Sequence, residues 1–272
     1  MLNSKNYNDI CPSNIKITYF SINDQEKLKM LTKIFTYIIS KNIEVLKFNY
    51  IDNVLVYDNC QTDNKLYELH INKDYFNEIN IYNKNIIQIP LINIIKDLKS
   101  YKGKKIFPNI YFLFTEENLI IRSIYTNDIE LTNVINNQYL STINSFSLKS
   151  DIDNKTPDLS FTLSIDKINI LLNNSFIKEF SEFVISNNSV SIIFIDTHSN
   201  KKIIKSVINN TYTDEDFKFL LNNNIIKDLM KFFKDNIIKF DLFKDELKII
   251  YNIQFQSNDI LLKLISNFEI LK

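Results

Sequence analysis

The chain has 272 residues, 45% of them hydrophobic, which is enough for one large or two ordinary domains with proper cores. Its 32 basic residues balance 32 acidic ones, and Arg122 is the only arginine, so net charge selects no partner and any nucleic-acid surface must come from lysines gathered on one face. A single glycine, Gly103, excludes P-loops, dinucleotide fingerprints, EF-hand loops and the nucleophile elbow, all of which need glycine where the backbone approaches a ligand or takes positive φ.

Alternation over Ile15-Lys-Ile-Thr-Tyr-Phe20 predicts a strand, after which Asp24 caps an apolar-periodic helix reaching Ser40. Short strands are expected at 43–48, 54–57, 65–71 and 85–89, a second helix from Pro90 to Tyr101, and strands at 109–114, 118–125 and 128–135. Residues 136–157 are polar, end at Pro157 and read as a connector. The order then repeats: strand 159–164, helix 165–178, strands 182–186, 190–195, 201–208 and 216–221, helix 223–235, and strands 237–243, 247–256 and 259–265. Asn93-Ile-Ile-Lys-Asp-Leu98 recurs identically as Asn224-Ile-Ile-Lys-Asp-Leu229, and each copy is followed by a strand-turn-strand pattern of similar length. A chance hexamer would not carry its context with it, so the chain is a duplicated unit. The expected domains are 1–135 and 158–272, joined by 136–157.

Nothing in the chain has the spacing of a catalytic or metal site. His70 sits in an alternating strand and His198 in a hairpin turn, and with Cys11 and Cys60 they do not approach zinc-ligand spacing. The pairs Glu116/Glu117, Asp214/Glu215 and Asp245/Glu246 fall in predicted turns, where solvated carboxylates are ordinary. Heavy use of Asn, Ile and Lys reads as the bias of an AT-rich genome, which also discounts the sequons at Asn173, Asn187 and Asn209. The start of the chain has no basic-then-apolar signal, and no apolar run approaches the roughly 18 residues of a membrane span. The expectation is a soluble, intracellular, reduced protein that is not an enzyme and needs no cofactor or metal.

The helices carry the one surface signal. Leu28, Leu31, Phe35 and Ile38 form one side of the first helix, with Lys29, Lys33, Thr36 and Ser40 on the other. In the second, Leu91, Ile94, Ile95 and Leu98 form the apolar stripe, and Lys96 and Lys99 stand away from it. The third places Lys167, Asn174 and Lys178 on one face, and the fourth places Lys227, Lys231 and Lys234 there. Four lysine faces in a chain of zero net charge imply that acids are concentrated elsewhere.

The doubled element order, with Asn53-Val-Leu-Val-Tyr-Asp58 and Leu247-Lys-Ile-Ile-Tyr-Asn-Ile253 as local matches, resembles the sliding clamp family of proliferating cell nuclear antigen and its viral relatives over residues 15–271. The resemblance implies an α+β, duplicated two-domain DNA clamp fold, each domain with two helices packed on antiparallel sheets. It implies a homotrimeric ring around duplex DNA, the lysines above facing the backbone, and a DNA polymerase or other replication or repair protein tethered outside. A partner groove would be lined by Tyr57, Leu140, Ile143, Leu264, Ile265 and Phe268. Ring closure would pair Asp128–Ile135, carrying Asp128 and Glu130, with Lys201–Ile208, carrying Lys201, Lys202, Ile203, Ile204 and Lys205. The chain departs from the family at Leu264-Ile265-Ser266, in place of a Leu-Ala-Pro-like segment, and at Glu246, in place of a proline. The alternative reading is a clamp-derived scaffold or transcription or assembly factor that lost the ring. The nucleus or a cytoplasmic site of viral DNA replication is the expected location.

Overall fold

A computed structural model describes residues 17–60, 66–82, 86–101, 104–115, 118–125, 129–136, 155–165, 180–186, 189–195, 201–207, 217–255 and 257–270. In chain order the elements are β1 (Thr18–Ile22), α1 (Gln25–Ile39), β2 (Val45–Ile51), β3 (Val54–Cys60), β4 (Leu66–Asn72), a 3-10 turn (Lys73–Tyr75), β5 (Glu78–Asn80), β6 (Ile86–Pro90), α2 (Leu91–Ser100), β7 (Asn109–Phe114), β8 (Asn118–Ile124) and β9 (Glu130–Asn136). The second half follows with β10 (Leu159–Ser164), β11 (Phe180–Ser186), β12 (Ser189–Ile195), β13 (Lys201–Val207), β14 (Phe217–Asn222), α3 (Asn223–Phe233), β15 (Ile237–Phe243), β16 (Lys248–Gln254), β17 (Ile260–Asn267) and β18 (Glu269–Ile270). The helix expected at 165–178 lies, past Ile165, outside the described residues, as do Gly103, His198, Cys11 and the pairs Glu116/Glu117 and Asp214/Glu215.

The described residues divide into two compact units, one holding the segments up to Val54 and from Lys73 to β9, the other holding Leu55–Asn72 with β10 to β18. In the first, a five-stranded sheet has the order β5-β1-β7-β8-β9, and β2 pairs with β6. In the second, one sheet runs β10-β15-β16-β17-β4-β3 and another β13-β12-β11-β14-β18. The duplication is visible in these orders: β1-β7-β8-β9 is repeated as β10-β15-β16-β17, and the neighbours β4-β3 and β2-β6 are repeated as β13-β12 and β11-β14.

Equivalent rings occupy equivalent places. Phe20 stacks on Phe112 in the first unit with centroids 4.7 Å apart, and Phe161 stacks on Phe240 in the second at 4.7 Å. Every one of these rings is at most 3% exposed, so each contributes about 2–3 kcal/mol by leaving water, with about 1 kcal/mol more per well-placed pair. Helix stripes follow the spacing of the apolar residues: Leu28, Leu31, Phe35 and Ile38 of α1, Leu91, Ile94, Ile95 and Leu98 of α2, and Ile225, Ile226, Leu229 and Phe233 of α3 are all buried. Asp24 caps α1 by accepting hydrogen bonds from the amides of Glu26 and Lys27, at 2.7 and 3.1 Å.

A chain so poor in glycine turns its corners with Asn and Asp. Asn42 ends α1 at φ 61°, and Asp52 and Asn53, between β2 and β3, sit at φ 49° and 68°. These short polar residues tolerate the left-handed region. Leu247 has no such excuse at φ 52°. It lies outside β16, one residue before the start of the strand that alternation would have begun with it, because its amide turns back to the Lys244 carbonyl at 3.2 Å while its own carbonyl accepts from the Phe268 amide at 2.9 Å.

The first repeat's β4 pairs antiparallel with β17, with Glu68 opposite Lys263. Glu68 is 5% exposed. The Lys263 ammonium lies 3.0 Å from its carboxylate and the His70 ring 3.3 Å away. Burial acts to raise the Glu68 carboxyl, but the His70 hydrogen bond and the Lys263 charge outweigh it and hold the group below its ordinary range.

Two predictions follow from these local features. Leu247→Gly removes the steric cost of a branched side chain in the left-handed region and is expected to add about 1 kcal/mol to the unfolding free energy in urea, whereas an unchanged or lower midpoint would show the turn to be relaxed. Lys263→Met leaves the ionised Glu68 with the His70 contact alone and is expected to cost about 2 kcal/mol at pH 7, while Glu68→Leu combined with Lys263→Met returns close to the parent. Because the folded carboxyl is depressed, its contribution is present above the ordinary glutamate pKa of about 4.3 and fades as pH falls through the folded value, so the deficit of Lys263→Met narrows in acid. A deficit that is the same at pH 7 and in acid would show that the pair does not act through charge.

Candidate nucleic-acid interface

In the first unit α1 and α2 lie side by side. Between them is a groove of about 400 Å3 with an apolar floor of Leu28, Met30 and Leu98, rimmed by Lys29, Lys33 and Lys99. Lys29, Lys96 and Lys99 are exposed and Lys33 half-buried. Lys29 sits 2.6 Å from Glu26, while Lys33, Lys96 and Lys99 form no salt bridge among the described residues. The acid between them, Asp97, is turned to β9, where it accepts a hydrogen bond from Asn133. The rim of the groove therefore keeps ammonium groups in water with one carboxylate, Glu26, beside them.

In the second unit α3 is started by Asn222, whose side chain accepts from the Asn224 amide at 2.8 Å. Its solvent side carries Lys227, half-buried, with Lys231 and Lys234 exposed. Lys231 lies 5.7 Å from the centre of the Phe232 ring. Lys167 and Lys178, expected on the companion helix, lie outside the described residues.

The residues expected to line a partner groove are placed differently. Tyr57, Leu264, Ile265 and Phe268 are 4%, 2%, 5% and 4% exposed, so their side chains belong to the second unit's own packing. Phe268 lies 5.2 Å from Phe219, and Ile265 clusters with Phe243 and Ile250. Alternation in a strand marks two faces, and here both faces are covered at Leu264 and Ile265, which the pattern could not reveal. Leu140 and Ile143 lie outside the described residues.

The strands expected to close a ring both stand at sheet edges. β9 ends the five-stranded sheet of the first unit and β13 ends a five-stranded sheet of the second. Ile129, Leu131 and Val134 are 56%, 51% and 57% exposed at the first edge, and Ile203 is 52% exposed at the second beside exposed Lys205. Asp128 and the side chains of Lys201, Lys202 and Ile204 lie outside the described residues. Glu130 is not free for a neighbouring copy's lysines: Arg122 on β8 donates to it at 2.7 Å, and that hydrogen bond holds its carboxyl below the ordinary range. The β8–β9 pairing, not sequence spacing, brings the two together.

Among the described residues no group of three or more His, Cys, Asp and Glu could hold a metal ion, and no helix is long and apolar enough to cross a membrane. In sequence the chain matches no family model and none of the curated proteins. In structure it is similar to proliferating cell nuclear antigen from Entamoeba histolytica, at a TM-score of 0.70 and 14% identity over 93% of this chain and 98% of that one. It is also similar to a structure of the C-terminal region of FEN-1 bound to A. fulgidus PCNA, at a TM-score of 0.65 and 12% identity over 94% of this chain and 99% of that one. The repeated strand order and these two likenesses along nearly the whole chain give it the duplicated fold of proliferating cell nuclear antigen, the sliding-clamp fold.

Proposed function

We propose that this chain is a DNA sliding clamp: it assembles into a closed homotrimeric ring around duplex DNA and tethers a polymerase or another replication or repair enzyme, with no chemistry of its own. The observation that carries the reading is the pairing of β17 with β4, because the duplication supplies a second set of the same two surfaces, β9 and β13, and leaves both as edges. An exposed strand edge with apolar side chains invites pairing with another chain, and a repeat of the β17–β4 joint between copies is the pairing for which these edges are already shaped. The lysine sides of α1, α2 and α3 supply the second support. A ring holds DNA by topology, so loose phosphate contacts on the scale of about 10⁻⁴ to 10⁻⁶ M suffice and tighter ones would hinder sliding. The C-terminal region of FEN-1 bound to A. fulgidus PCNA supports a protein partner on the same fold. A second reading, a clamp-derived scaffold that no longer closes, draws on the burial of Tyr57, Leu264, Ile265 and Phe268 and on the engagement of Glu130 by Arg122. The mass of the chain in solution separates the two.

Replacing Lys96, Lys99, Lys227 and Lys231 together with Ala is expected to weaken duplex binding at low salt and flatten its salt dependence, each lost phosphate contact removing about 0.9 from the log-log slope. A slope equal to the parent's would show that these faces do not meet DNA. At the edges, Lys201→Glu with Lys205→Glu, and separately Val134→Lys, are expected to yield monomers by light scattering at physiological salt. Adding Asp128→Lys to the first pair is expected to recover part of the assembly. A trimer that persists in both edge variants would place the interface elsewhere.

A further inference from the structure

The first repeat ends a strand pair in an edge that the second repeat covers. In the second repeat β14 has a neighbour on each side: β11, where Phe183 stands opposite Phe219, and β18, where Ile270 stands opposite Phe219 and Glu269 opposite Leu220. In the first repeat the equivalent strand, β6, pairs with β2, where Phe48 stands opposite Ile87, and among the described residues no strand pairs with its other side. Phe48, Ile87, Phe183 and Phe219 are all at most 1% exposed, so the core-side rows match and Gln88 holds the place of Leu220.

Register fixes which groups that edge offers. The Leu91 amide donates to the Glu44 carbonyl at 2.8 Å, one step beyond Pro90 opposite Val45. Antiparallel pairs alternate between those that exchange both backbone hydrogen bonds and those that exchange none, so Ile89 and Ile87 bond to β2 while the backbone groups of Pro90, Gln88 and Ile86 point the other way. Pro90 sits in the set where a missing N–H breaks no bond to β2, and it offers a partner only its carbonyl. Gln88, half-buried, and Ile86, 50% exposed, turn both N–H and C=O outward. Ile86 stands opposite Asn49, and Ile51, two residues farther along β2 on the same side, is 54% exposed, so this end of the edge carries an apolar strip in water.

We propose that the Ile86–Gln88 edge of β6 is a strand-addition site for an extended segment of another protein, an acidic residue followed by two aliphatic ones, laid antiparallel as β18 lies on β14. The second repeat argues for this occupant: Glu269 and Ile270 opposite Leu220 and Phe219 translate into an acid opposite Gln88 and an aliphatic residue opposite Ile87. The acid falls in one cross-strand row with the Gln88 amide and Lys47, both donors. The first aliphatic residue extends the core-side row of Phe48 and Ile87, as Ile270 extends that of Phe183 and Phe219, and the second lies over Ile86 toward Ile51. Backbone hydrogen bonds give an added strand its affinity, and alternate side chains give it selectivity. The site uses neither the β9 and β13 edges nor the lysine sides of the helices, so it stands or falls apart from the ring.

The probe is a fluorescein-labelled hexapeptide, Asn-Phe-Glu-Ile-Leu-Lys, the sequence of residues 267–272, titrated into the full chain. Two controls carry one N-methyl group each, on the glutamate amide, which meets the Gln88 carbonyl, or on the isoleucine amide, which points away from the edge. Methylation at glutamate is expected to weaken binding about tenfold, and methylation at isoleucine to change it by less than about twofold. Gln88→Pro removes the outward N–H and keeps the bonds to β2, and Ile86→Lys removes the exposed apolar contact; each is expected to weaken binding about tenfold. The methylated peptides leave the protein untouched, so the test holds even where Gln88→Pro does not fold. A photo-crosslinker on the leucine is expected to mark β6 or β2. Equal binding of the two methylated peptides, full affinity in Ile86→Lys or in folded Gln88→Pro, crosslinks confined to β14, or no binding at about 1 mM would overturn the proposal. An Ile86-dependent change in the chain's own mass would overturn it in favour of a second copy as the occupant.

Discussion

The antiparallel joint of β4 with β17 is the contact from which the organisation of the chain unfolds. A strand edge in water exposes a row of amides and carbonyls whose satisfaction by another strand is directional and sequence-tolerant. In this joint the two strands run in register from Ile71 opposite Ile260 to Leu66 opposite Ile265, which takes a segment of the first repeat into a sheet built by the second. Buried Leu69 and Leu262 face each other on the core side, and Glu68 meets Lys263 on the other. A one-residue slip would exchange the two faces and bury the charges without partners, so the ion pair specifies register at least as much as it stabilises. Duplication means that whatever one joint uses up inside the chain, its counterpart leaves at an edge.

Charge follows the same division of labour. The chain is neutral overall, yet lysines lie along the solvent sides of α1, α2 and α3, while buried carboxylates such as Glu68 and Asp241 are tied into the second unit's sheet by Lys263, Lys239, Asn252 and Ser160. Acids engaged in a low-dielectric network cannot neutralise ammonium groups standing free in water. Zero net charge is therefore compatible with a field that favours phosphate along the helices. The outer faces of the two repeats have diverged in the opposite sense. One has a closed polar network around Asp241 and the other a buried apolar cluster of Tyr19, Leu113 and Ile120, as expected when duplicated surfaces are no longer constrained to the same task.

Much of the architecture could be read along the chain because it is local. Period-two alternation marked the strands at 109–114, 159–164 and 237–243 with the bounds the structure has, and the 3.6-residue period of Leu91, Ile94, Ile95 and Leu98 marked the buried stripe of α2. The Asp24 cap and the repeated hexamer were equally direct, since a cap is a short-range hydrogen bond and a repeat is a property of the string. Short elements escaped: β5, the 3-10 turn at Lys73–Tyr75 and β18 are too brief to show a period, and each exists because a neighbouring strand offers it an edge or a carbonyl.

What lay beyond the string was every property that depends on a partner distant in sequence. Alternation says that Leu264 and Ile265 point to opposite faces, but only the assembled sheet decides that both faces are covered and that Tyr57 and Phe268 are inside. Glu130 reads as a free acid until β8 and β9 pair and bring Arg122 to it. Leu247 reads as the first residue of a strand until the Phe268 amide claims its carbonyl and the turn takes it to positive φ. Periodicity is a local consequence of how side chains leave the backbone, and it fixes the apolar side of each element. Which edges meet, which charges find each other and which apolar side chains remain in water follow from strand order and register, and these are set only when the whole chain competes for its own surfaces.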